Sequence, residues 1–88
     1  MLRLWGKIIT NHKILFQLEF VYEYNDLVYQ DQLKYCIENI CRQLDIQKPY
    51  WLNNNLKEYN KYKKTSFTQD NFIEEIDFDK FEIEVLEE

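Results

Sequence analysis

The feature that most restricts this chain is one apolar stripe. Leu33, Cys36, Ile37, Ile40, Cys41 and Leu44 recur at steps of three, one, three, one and three. That spacing is one face of an α-helix and predicts a helix over residues 27–45, with Asn25 and Asp26 offering N-cap oxygens and Gln30, Lys34, Glu38 and Gln43 turned to water. A stripe this continuous is stable only against a second apolar surface.

Two segments with period two supply that surface. In "LRLWGKII", Leu2, Leu4 and Ile8 alternate with Arg3, Trp5 and Lys7. In "ILFQLEFVYEY", Ile14, Phe16, Leu18, Phe20 and Tyr22 share one face, and Leu15, Gln17, Glu19, Val21 and Glu23 the other. Alternation of this kind marks strands with one dry and one wet face. The intervening "NHK" makes the pair an antiparallel hairpin, Asn11 being able to take the left-handed conformation of a turn. The face of Phe16, Leu18 and Phe20 is the expected partner of the helix.

Pro49 ends the helical region. Trp51 and Leu52 are expected to anchor the linker, and the Asn run to cap a short helix over "NLKEYNKYKK" with Leu56 and Tyr59 on its contact line. Thr68 is placed to cap a helical turn carrying Phe72, Ile73 and Ile76, its start favoured by Asp70, Glu74 and Glu75. From Phe78 onward Lys80, Glu82 and Glu84 alternate with Phe81, Ile83 and Val85, a third strand. The expectation is a single domain over residues 1–88: α+β, a small antiparallel sheet of about three strands packed on one long helix, plus a short second helix.

Composition supports a folded chain, with 45% hydrophobic and 17% aromatic residues, well above what disordered segments carry. A single Gly and a single Pro count against a turn-rich all-β fold and against a glycine loop that cradles phosphate. No apolar run approaches membrane-helix length, since Arg3 and Lys7 interrupt the first one. Cys36 and Cys41 lie about 140° apart on the helix, too far round to bridge, and they lack the further ligands of a zinc site. These features lead to an expectation of cytoplasmic residence, with no cofactor and no metal.

Charge is unevenly spread. Residues 1–52 hold six bases and six acids; residues 53–65 hold four lysines against Glu58, leaving +3; residues 66–88 hold nine acids against Lys80, leaving −8. Asp77, Asp79, Glu82 and Glu84, with Glu74 and Glu75, form the strongest cluster. Ordered on a strand, such carboxylates suit a docking face for a basic protein partner, where they steer association. Trp5, on the polar side of the first strand, either packs beneath the second helix or serves as the exposed aromatic anchor for that partner. The competing readings are a solvated edge face, or a metal-dependent site at the same acids, which the lack of a glycine-containing calcium loop disfavours. A second patch, Lys57, Tyr59, Lys61, Tyr62, Lys63 and Lys64, interleaves charge with rings as single-strand RNA or DNA binders do. His12 has no Ser or Cys nearby in sequence, and no catalytic residue is assigned.

The segments "MLRLWGKII", "KPYWL" with "NNLKEY", and "QDNFIEEIDFDKFEIEVLEE" resemble a family of small proteins of low-GC bacteria, clostridia and their relatives, for which no activity is established. "FVYEYND" departs from the family pattern. The resemblance spans nearly the whole chain and implies a shared fold and cytoplasmic residence. It implies no activity, and the shared segments are aromatic and acidic rather than catalytic in type. Together these readings give a non-enzymatic acidic protein-binding module. Its narrower form is an inhibitor of a nuclease or other nucleic-acid-handling protein, of the anti-CRISPR kind; the alternative is the Lys/Tyr nucleic-acid module.

Overall fold

In a computed structural model describing residues 1–88, two period-two segments form β1 (Leu2–Thr10) and β2 (Lys13–Tyr22). They are joined by a turn in which Asn11 and His12 both have positive φ, 53° and 64°. The helix predicted from the apolar stripe is α1 (Tyr29–Leu44), followed by α2 (Asn53–Tyr62), β3 (Lys64–Phe67), a 3₁₀ turn (Gln69–Asn71) and β4 (Lys80–Glu87). The sheet is antiparallel throughout, in the order β2-β1-β4-β3. It therefore has four strands where the sequence predicts about three. The additional strand starts directly beyond Lys63, whose left-handed backbone (φ 58°) ends α2 and turns the chain. The residues "KK", read from sequence as helical, lie in that turn and in β3.

The α1 stripe is buried as expected, with Leu33, Cys36, Ile37, Ile40 and Cys41 in the core beside Leu4, Ile8, Phe81 and Ile83. Helix and sheet approach tightly at Gly6, where a Cβ would lie 2.6 Å from Ile40 Cγ2 and 3.1 Å from Phe81 Cε1. The start of α1 differs from expectation. Val28 is the N-cap residue and makes no side-chain bond, while Asp26 accepts instead from the Tyr22 hydroxyl.

Phe16 is also a correction. It is 63% exposed: Leu18, Phe20 and Tyr22 in the second half of β2 pack on the core, the last two against Tyr35 of α1, while Lys13 to Gln17 of this edge strand stay exposed. The register shifts between Ile8 and Ile9, so that Ile14 pairs with Ile9 and joins its face rather than that of Phe16. Beyond α1, Trp51 packs edge-on to Phe67 and Tyr59, whereas Leu52 stays 40% exposed.

Two buried asparagines lock α2, β3 and the 3₁₀ turn together. Asn55 Oδ1 accepts from Leu52 N and from Asn71 Nδ2, and Asn55 Nδ2 donates to Thr65 Oγ1 and the Ser66 carbonyl. Asn71 repeats the arrangement, accepting from Thr68 N and donating to the Tyr50 carbonyl. Each thus satisfies an orphan amide at a helix start and spends its remaining capacity on a neighbouring element.

Candidate functional site

The acids of residues 74–84 fall into two structurally different groups. Glu82 and Glu84 lie on the outer face of the sheet, opposite Lys7 and Trp5 in β1. Lys7 Nζ is 2.8 Å from Glu82 Oε1 and 3.3 Å from Glu84 Oε1, and the Lys7 side chain is only 7% exposed. Burial alone would raise the Glu82 carboxyl, but hydrogen bonds and charge from Lys7, with help from Ser66, outweigh it and hold Glu82 below its usual range. Trp5 belongs to the same assembly: its Nε1 donates to Gln17 Oε1 at 3.0 Å, and Lys7 Nζ sits 3.8 Å from its ring centroid. On the strand, then, the carboxylates and the candidate anchor are engaged with their own sheet.

The second group lies in the connection that leads into β4. Its ends are pinned by Phe72 and Phe78, both buried and packed edge-to-face at 5.8 Å. Between them two glutamines hold the backbone. Gln47 Oε1, just beyond α1, accepts from the amides of Ile73 (3.0 Å) and Glu74 (3.2 Å). Gln69 Oε1 accepts from Ile76 N at 2.9 Å while its Nε2 donates to the Glu74 carbonyl at 2.9 Å. Thr68 and Asp70 were expected to open a helical turn extending to Ile76, but the turn stops at Asn71 because these side-chain bonds take the place of helical ones.

This clamped loop presents Glu74, Glu75 and Asp77 to solvent around a hollow of about 140 Å³ that Asp45, at the left-handed end of α1, also lines. None of these four carboxylates forms an ion pair. Beside them Ile73 is 77% exposed, the most exposed large apolar side chain of the protein. Asp79 is different. Its Oδ2 accepts from Asn11 N at 2.8 Å and its amide donates to the Ile9 carbonyl, so it fastens the β1–β2 turn to β4. No three His, Cys, Asp or Glu side chains are grouped to hold a metal ion.

The Lys/Tyr patch does not form a single surface. Tyr59 is buried, with its hydroxyl 2.6 Å from that of Tyr29, so its ring is not offered for stacking. Lys63 is drawn toward Glu88 at 3.4 Å, and Lys64 stands opposite Glu84 in the β3–β4 pair. Lys57, Lys61 and Tyr62 remain exposed on α2. Cys36 and Cys41 are buried, and burial pushes their thiols up to about 11 and about 12, which leaves them neutral and poorly nucleophilic. His12 is exposed in the hairpin turn.

Gln47 is not legible as a site residue, since a side-chain amide that bonds a backbone 26 residues away leaves no local spacing to read; Gln69 bonds only five and seven residues on, but within a loop whose sequence has no period. No helix is long and apolar enough to cross a membrane. No family model, curated protein or solved structure matches the chain. The family resemblance therefore rests on the quoted segments alone.

Proposed function

We propose that this chain is a non-enzymatic protein-binding module that docks a partner with a basic surface through the clamped loop of residues 73–77. What supports the reading is that Glu74, Glu75, Asp77 and Asp45 have no cation of their own, whereas Glu82 and Glu84 share Lys7. Because Gln47 and Gln69 already hold the backbone that carries these carboxylates, a partner meets a loop whose main chain needs little further ordering, and the exposed Ile73 supplies an apolar contact beside the acids. The same arrangement suits a target whose basic groove ordinarily receives phosphates. Inhibition of a nucleic-acid-handling protein is accordingly the narrower form of the proposal.

Affinity purification from the native cell tests it with two variants. Reversing Glu74, Glu75 and Asp77 to Lys is expected to abolish capture of the specific partner, while Glu84→Gln leaves it intact. Retention of every partner by the loop variant refutes the assignment of this surface.

A further inference from the structure

A separate concavity of about 350 Å³ lies between α1 and α2. Leu33, Ile37, Trp51 and Leu56 give it an apolar lining, and the only charged side chains on it are Lys34 and Lys63. In a chain of formal charge −5, a concave surface with lysines and no carboxylate is a local reversal of sign. Anionic groups are drawn to such a place.

One anion is held at its margin already. Glu88 Oε1 is 3.0 Å from the Tyr29 hydroxyl and 3.4 Å from Lys63 Nζ. Tyr59 OH lies 2.6 Å from Tyr29 OH, so a proton donated by Tyr59 leaves Tyr29 free to donate to the carboxylate. Burial raises both phenols above their ordinary range, which keeps them protonated donors at neutral pH. A relay of this kind strengthens the terminal, charge-assisted bond.

We propose that the trough docks a segment of a partner protein carrying a carboxylate next to an apolar side chain, and that Glu88 occupies the carboxylate position until the partner displaces it. The apolar lining takes the neighbouring side chain, and Lys34 adds a second attraction along the segment. A peptide fits better than a nucleic acid. Tyr59 is buried, so its ring offers no stacking face for a base, and two lysines are few for a phosphate backbone.

The test uses Trp51 as reporter in the full chain carrying Trp5→Phe, which leaves Trp51 as the sole tryptophan. The probe is a short acetylated and amidated peptide of alternating Glu and Leu. Its addition is expected to change Trp51 emission saturably. Glu88→Gln, which removes the resident competitor's charge, should tighten binding by about threefold or more, and Lys34→Glu, an exposed substitution on α1, should weaken it by about tenfold. No saturable response in either the parent or Glu88→Gln overturns the proposal. So does equal or tighter binding of a Lys/Leu peptide, or of a short oligothymidine, at the same site.

Discussion

Lys7 Nζ stands 2.8 Å from Glu82 and 3.3 Å from Glu84, one cation shared by two carboxylates across the β1–β4 pair. Because the lysine is almost fully buried, its loss leaves two like charges facing each other without compensation. Lys7→Ala is expected to lower unfolding free energy by about 2–3 kcal/mol in urea titrations. The triple variant Lys7→Met, Glu82→Gln, Glu84→Gln should recover most of that loss.

Glu82 also sets an acid limit on stability. Its folded carboxyl titrates below the ordinary value of 4.5, so the ionised form contributes stability that is complete above that value and is lost as the pH falls through the depressed one. The denaturation midpoint should fall below about pH 4.5, and fall less steeply in Glu82→Gln. Identical acid profiles for the two proteins would contradict the role given to the Lys7 pair.

Gly6 is required by closeness, not by turn geometry. A methyl group there meets Ile40 Cγ2 at 2.6 Å on the inner face of α1. Gly6→Ala should destabilise by about 1–3 kcal/mol. Combined with Ile40→Ala, which vacates the contact, the two costs should sum to less than their separate values when measured by chemical denaturation.

Asn55 donates and accepts in four buried or part-buried hydrogen bonds that tie α2 to β3 and to the 3₁₀ turn. Asn55→Leu strands several partners away from water, each worth about 1 kcal/mol or more, and should lower the thermal midpoint severely. Asn55→Asp keeps the acceptor toward Leu52 and Asn71 but cannot donate to Ser66, and it too should be destabilising.

What could be read from the sequence follows from periodicity. The α1 stripe and the alternation of β1 and β4 were legible because each covers enough residues for its period to show. β3 was not: "KTSF" is four residues long, has no clear alternation of its own, and begins directly after a helix-ending Lys63 rather than a Gly. The acidic segment was rightly seen as ordered, but for only part of the reason. Its strand half is ordered by pairing with Lys7 and its loop half by Gln47, both distant in sequence, and by Gln69, which bonds five and seven residues further on in an aperiodic loop. Which carboxylates remain unpaired depends on those tertiary contacts, so composition could locate the acids without separating the two groups.

The central claim, that the unpaired carboxylates are held on a fixed backbone, is tested most directly by amide hydrogen exchange at Ile73, Glu74 and Ile76. In the wild-type protein these amides should exchange at least about tenfold more slowly than in a Gln47→Ala, Gln69→Ala variant. Exchange at the rate of an unstructured chain in the wild type, unchanged by the two substitutions, would contradict it.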